Sequence, residues 1–166
     1  ETVRITAKRM IIFVIMTIYI ELEDKTDYTG SCFDELDAML VNLKKEALRY
    51  MNNHLITEDD YYYEYMQMRA RQCVILKRIY ADIIRLTTTP EQGKALADFI
   101  RQTADEFAEQ NNVETLLSEL ERLHHHYEQQ QLPVTRQEFE NRSMLYHILE
   151  DMKAFLDIKK DFITAR

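Results

Sequence analysis

Tryptophan is absent from this 166-residue sequence, and glycine, proline and cysteine occur only twice each. Two glycines and two prolines cannot supply the turns that a multi-stranded sheet needs. That shortage excludes most sheet architectures and leaves a helical one, which 46% hydrophobic and 30% charged residues suit. Cys32 and Cys73 follow no metal spacing and allow at most one bridge. Reduced thiols and a cytosolic setting are the simpler expectation, with Cys73 read as a buried thiol. Positive charge is also short: 21 Lys and Arg face 29 Asp and Glu, a net charge of -8. With no basic run either, the charge argues against neutralisation of a phosphate backbone and disfavours adsorption to an anionic membrane surface. No long hydrophobic run exists. The most apolar stretch, Met10 to Ile20, has eleven residues, against the roughly twenty that span a bilayer, and reads as a core helix. The chain begins at Glu1 without a signal peptide, which predicts an excised part of a longer protein. At this length one domain with a sizeable core is expected, covering residues 1–166.

What the sequence has instead is helical periodicity. Tyr62, Tyr65, Met66, Arg69, Cys73, Leu76, Ile79, Tyr80, Ile83 and Leu86 recur at steps of three and four, the stripe that an amphipathic helix turns toward a core. Around it the spacing predicts a first helix over about Thr2 to Asp24 and a turn over Lys25 to Gly30. A second helix, capped by Ser31 with Asp34, runs through Leu36, Leu40, Leu43, Ala47, Leu48 and Met51 to near Leu55. Thr57 is expected to cap the tyrosine helix, with acidic Glu58, Asp59 and Asp60 in its first turn, where the helix dipole favours them. That third helix stops at Thr87 to Thr89. Thr89-Pro90-Glu91-Gln92 reads as a capping box with proline at the first position of a fourth helix that ends near Gln110. Asn111 or Asn112 caps a fifth helix ending near Gln131. Leu132 to Val134 turns the chain, and Thr135 with Glu138 caps a last helix over about Arg136 to Thr164. Short connections between long helices predict an all-α fold, an elongated antiparallel bundle of about five or six helices.

Arg69 is the unusual member of the tyrosine stripe. A guanidinium on an apolar face is costly unless its donors are paired. Its neighbours at three and four residues are Tyr65, Met66, Gln72 and Cys73, so no local carboxylate answers it. Two fates remain: a structural one, with a carboxylate partner on a neighbouring helix or a stem that snorkels to water, and a ligand carboxylate held among tyrosine rings. The last helix repeats the feature with Phe139, Arg142, Tyr146 and Leu149 on one face. Here Glu138 precedes Arg142 by four residues and Glu140 follows Arg136 by four, so structural ion pairs are expected. The candidate ligand-binding set is therefore Tyr62, Tyr65, Arg69 and Gln72, with Arg142 and Tyr146 beside the second arginine.

Other constellations carry less. His124, His125 and His126 are consecutive, so on a helix they point about 100° apart and cannot converge on one metal. Glu121 and His124 have the Glu-x-x-His spacing of di-iron bundles, but only one such motif is present where two are needed. No metal and no cofactor are expected. Arg49 to His54 and Arg142 to His147 match Arg-x4-His, which resembles the ribonuclease motif of small all-helical HEPN domains. With twelve arginines and five histidines, roughly one such match is expected by chance. A HEPN-like ribonuclease or nucleotide-binding bundle is the alternative reading, and the acidic charge counts against it. There is no phosphate-binding glycine loop, no HExxH and no G-x-S-x-G.

Four segments together resemble a known family: DYYYEYMQMRARQ (Asp60–Gln72), ADFI (Ala97–Ile100), LPVTRQEFENRSMLYHIL (Leu132–Leu149) and DMKAFLDIKKDF (Asp151–Phe162). They are similar to the C-terminal domain of the bacterial "putative aromatic acid exporter" family, whose members are fusaric-acid-resistance-like membrane proteins. The similarity is clearest from about Leu43 onward. It singles out Tyr61, Tyr62, Tyr63, Tyr65, Met68, Arg69, Gln72, Arg136, Phe139, Glu140, Asn141 and Arg142 as defining the domain, and it supplies no catalytic residue. The resemblance implies a non-enzymatic accessory domain, regulatory, ligand-sensing or assembly-forming, at the cytoplasmic face of the bacterial membrane. Its expected partners are its own N-terminal transmembrane domain, further copies of itself and an aromatic carboxylate ligand; nucleic acid is not among them. In a sensor version, Arg69 pairs the ligand carboxylate while Tyr62 or Tyr65 packs on its ring. In a scaffold version, the arginine-bearing faces lock the third helix against the sixth.

Overall fold

The computed structural model describes residues 2–24, 30–53, 60–87, 91–107 and 113–165. They form six helices and, among the described residues, no strand: α1 (Thr2–Asp24), α2 (Ser31–Asn53), α3 (Tyr61–Ile83), α4 (Glu91–Asp105), α5 (Val113–Glu128) and α6 (Arg136–Thr164). The fold is an all-α bundle. Side-chain pairs fix its directions. Tyr65 meets Phe162, Gln72 meets the Phe155 carbonyl, Arg78 meets Asp151 and Thr87 meets Asn141, so α3 and α6 run antiparallel. Tyr50–Tyr62, Lys44–Gln67 and Phe33–Tyr80 do the same for α2 and α3, and Lys160–Glu114 with His124–Tyr146 for α5 and α6. At 1.5 Å per residue the longest helix, α6, extends about 43 Å.

The third helix is the centre of the bundle, packed against α1, α2 and most extensively against α6. Its periodicity is realised: Tyr65, Met66, Arg69, Cys73, Leu76, Ile79, Ile83 and Leu86 are buried, while Tyr62 and Tyr80 are half-buried. Gly30 (φ 73°) opens α2, a left-handed conformation that glycine tolerates and side chains rarely do. Its carbonyl accepts from the Phe33 N–H at 3.0 Å, so the first turn opens one residue ahead of the expected Ser31 cap.

Several boundaries differ from the sequence reading. α3 ends at Ile83, and the backbone then tightens, with Arg85 N–H bonded to the Asp82 carbonyl and Leu86 N–H to that of Ile83. Leu86 keeps its core position without belonging to the helix. α4 likewise ends at Asp105, and Phe107 reaches the core from just beyond it through an N–H bond to the Ala104 carbonyl. The Thr57, Thr89-Pro90 and Asn111 or Asn112 caps lie outside the described residues, as does any break between α2 and α3. The Thr135 cap is formed: its hydroxyl accepts from the Glu138 N–H at 3.1 Å. Glu138 reaches back one residue further than in the standard capping box, to the Val134 N–H at 2.9 Å.

The face expected for α6 is also shifted. Of that face Leu149 is buried, but Phe139 and Tyr146 are 60% and 43% exposed, and the core side also takes in Asn141, Leu145, Ile148, Met152, Phe155 and Lys159. Thr87 explains the upper end, because it bonds Asn141 and Gln137 and turns that side of α6 inward. Within α1, Ile11, Val14, Ile15 and Ile18 are buried as a core helix requires, but Phe13 (52%) and Ile20 (42%) face outward.

Candidate functional site

The six candidate residues separate into two places. Four belong to α3. Tyr62 is half-buried, edge-on to Tyr50 and Tyr61, and stands at the margin. Tyr65, Arg69 and Gln72 form one buried niche. The Arg69 side chain is 0% exposed, and its Nη1 donates to Gln72 Oε1 at 2.7 Å. Gln72 Nε2 in turn donates to the Phe155 carbonyl of α6 at 2.9 Å. The guanidinium lies 4.7 Å from the Tyr65 ring centroid and 4.6 Å from that of Phe107, each such stacking contributing on the order of 1 kcal/mol. Arg69 does not snorkel; it is enclosed by rings and an amide. The Tyr65 hydroxyl is buried there with no hydrogen-bond partner among the described residues.

Two members of this niche escaped the sequence reading. Phe107 lies against Phe155 and takes a second cation, Lys159 Nζ, 4.9 Å from its centroid. Lys159 is only 2% exposed. Its spacing was the available signal, since it falls three and four residues after Leu156 and Phe155 on the buried stripe of α6. Phe107 continues the apolar spacing of Phe99, Ile100 and Ala104, but that spacing does not report that the turn after α4 brings it over Arg69.

The other two candidates, Arg142 and Tyr146, lie near the opposite end of α6. Thirteen residues separate Arg142 from Phe155, about 20 Å along a helix. Together with Tyr127, Glu128, Gln130 and Leu145 they line a cavity of about 200 Å³ between α5 and α6. Arg142 makes the expected pair with Glu138 (Nη2 to Oε1, 2.5 Å), and its Nη1 donates to the Gln131 carbonyl at 2.5 Å. Its Nε is buried without an acceptor among the described residues. The Val134 N–H and then the Arg142 guanidinium hold the Glu138 carboxyl below the usual glutamate range. Burial pushes the Tyr127 phenol upward. Tyr146 hydrogen-bonds His124 Nε2 at 3.1 Å, and the same imidazole approaches Glu128 through Nδ1 and Glu150 through Nε2. Arg136 pairs with Glu140 at 2.8 Å as expected.

Neither place is laid out for covalent chemistry. Cys73 is pushed up to about 12 by burial and then by Asp37, to which its thiol donates at 3.5 Å, so it is a poor thiolate nucleophile at neutral pH. His125 and His126 are exposed, Glu121 approaches His125 rather than His124, and no group of the described residues could hold a metal ion. Of the Arg-x4-His pairs, His54 lies outside the described residues. Arg142 is committed to Glu138 and Gln131, while His147 is exposed five residues on, about 140° around the helix.

The family model for "Putative aromatic acid exporter C-terminal domain" matches residues 2–160. The chain belongs to this family. Its match begins within the first turn of α1, so the exporter-domain family takes in the first forty residues as well as the segments from Leu43 onward. The "Uncharacterized protein YqjA" of Bacillus subtilis (strain 168) is 30% identical over 152 residues, covering 92% of this chain and 47% of that protein. The chain thus spans about half the length of the curated relative it matches. A crystal structure of a "putative membrane protein from Clostridium difficile 630" has a TM-score of 0.87 and 27% identity, covering 98% of this chain and 96% of that one. No helix among the described residues is long and apolar enough to cross a membrane.

Proposed function

We propose that this chain is the non-enzymatic accessory module of a membrane exporter, held at the cytoplasmic face of a bacterial membrane by its own N-terminal transmembrane domain and acting in assembly. The family supports the setting. The sealing of Arg69 supports the assembly role over the sensor role at that residue: a guanidinium with no exposed surface, sandwiched by Tyr65 and Phe107 and tied through Gln72 to the α6 backbone, is a lock between helices. A carboxylate ligand would have to displace the rings that cover it.

The surface offers a place for such a partner. Ile5, Phe13 and Ile20 are 41%, 52% and 42% exposed on α1, and their spacings of eight and seven residues keep them within about 80° of helix surface. An apolar row left outside the core is where a second copy or the membrane-spanning half would dock.

Sedimentation of the chain from micromolar to millimolar concentration tests this reading, with Phe13→Asp as the comparison, since Phe13 is exposed and its replacement leaves the core alone. Reversible association that the substitution abolishes is expected. A wild type that stays monomeric throughout would remove self-assembly, leaving the membrane half to be tested by cross-linking in the full-length protein. In parallel, a panel of aromatic carboxylates is expected to leave the melting temperature unchanged. A shift abolished by Arg69→Ala would instead establish the sensor.

A further inference from the structure

We propose that the exposed row of α1 docks in the α4–α5 groove of a second copy of this chain, each copy giving its row to the other's groove. The inference rests on the assembly reading and names the partner surface for it.

The row is more than apolar. Arg9 is exposed and stands four residues from both Ile5 and Phe13, so at 100° per residue it falls between them on one face, which half-buried Met16 and exposed Ile20 continue. A fitting partner offers apolar surface with negative charge toward one end. The groove does so. α4 and α5 diverge around about 640 Å³ floored by Ala95, Phe99 and Leu123. Arg101 and Arg122 answer Asp98 and Glu119 along its edges. Asp105 and Glu106 add negative charge where α4 ends, the end at which the helix dipole is also negative.

Helix directions bring the matching ends together. The seven peptide steps from Asp24 to Ser31 reach at most about 25 Å, less than the length of α1, about 34 Å for its 23 residues. So α1 ends near the start of α2, where Phe33 meets Tyr80 of α3. α4 starts eight residues after α3 ends, and Phe107 just past α4 lies over Arg69 in the first half of α3. α4 therefore runs opposite to α3 and to α1, with Arg101 against Tyr19. The start of α1, with Arg9, shares an end of the bundle with Asp105.

Two copies anchored in one membrane by segments preceding α1 are related by a two-fold axis normal to it, which keeps like ends level. Standing side by side in this way, one copy sets Arg9 toward the Asp105 end of the other's groove and lays Phe13 and Ile20 along the apolar floor. α4 lies between α1 and the groove, so both contacts form at once across it, the self-complementary arrangement of an isologous dimer.

Sedimentation equilibrium of the 166-residue chain with a charge swap makes the test. Arg9→Glu and Asp105→Lys, both at exposed positions, are each expected to weaken dimerisation about tenfold, and the double variant to regain most of the loss. Asp105→Lys lowers the net negative charge, so general repulsion between copies predicts the opposite change. Melting curves verify that all three variants are folded. Association that Phe13→Asp abolishes but neither reversal weakens would keep the assembly reading and overturn the groove as its partner. Reversals that weaken association without rescuing each other would overturn the pairing of row and groove. A chain still monomeric at millimolar concentration would remove self-assembly and this partner with it.

Discussion

Arg69 and Arg142 stand in similar sequence settings, each among aromatic and aliphatic residues of a long helix, yet they meet opposite conditions. Arg69 is sealed, with an amide and two rings for neighbours. Arg142 sits at a rim, answered by a glutamate one turn away and a backbone carbonyl, with a cavity beside it. The difference lies in what covers each helix. Phe107, arriving from the end of α4, and Phe155 of α6 close over the middle of α3. Beside Arg142 lie α5 and the Gln131 carbonyl of the turn before α6, and Tyr146 and Phe139 remain in solvent. A guanidinium becomes an internal lock where other helices cover it and stays at a partly solvated rim where they do not.

The contrast breaks most visibly at Arg69. Arg69→Ala opens a void between Tyr65 and Phe107 and strands the Gln72 amide, a loss of about 3–5 kcal/mol, which lowers the melting temperature by about 10 °C for a domain of this size. Thermal unfolding followed by circular dichroism reads it directly; a change of only a degree or two would mean that the niche is not a lock. Gln72→Leu comes next. It fills similar space but removes the acceptor for Arg69 Nη1 and the donor to the Phe155 carbonyl, so about 2–3 kcal/mol is expected in denaturant unfolding.

Arg142→Ala sharpens the other side. Its pair with Glu138 is solvent-accessible, so a fall of no more than about 3 °C is expected, and raising the salt concentration should shrink it. A loss as large as that of Arg69→Ala would erase the distinction between lock and rim. The smallest effect is pH-dependent. Because the folded chain holds Glu138 below its ordinary range, its contribution is present above the unfolded glutamate range and disappears as pH falls through the folded value. Glu138→Gln should therefore melt slightly below wild type at neutral pH and converge with it in acid. A gap that stays constant between neutral and acidic pH would show that the carboxylate's ionisation is not what matters.

Much of this organisation was legible in the sequence. Thr135, the cap of α6, and the Glu138–Arg142 and Arg136–Glu140 pairs are local, set by residues within one turn of each other, and all formed as their spacing predicts. The buried stripe of α3 followed from its period. The outward turn of Phe139 and Tyr146 did not, because an aromatic residue on a long helix is buried only if another element reaches it, and no periodicity reports that. The ends of α3 and α4 were overextended for a related reason: Leu86 and Phe107 keep core positions after the helical backbone has stopped, so apolar spacing ran past the true ends.

The sequence by itself determined the helical class, a count of about five or six helices and the presence of two arginines on apolar stripes, because these rest on composition and on spacing within a few turns, and its four family-like segments pointed to the family. Only the tertiary structure decided which arginine would be enclosed. That outcome depends on Phe107, Phe155 and Lys159 arriving from elements 38 to 90 positions away in the chain, a convergence over distances that local spacing does not encode.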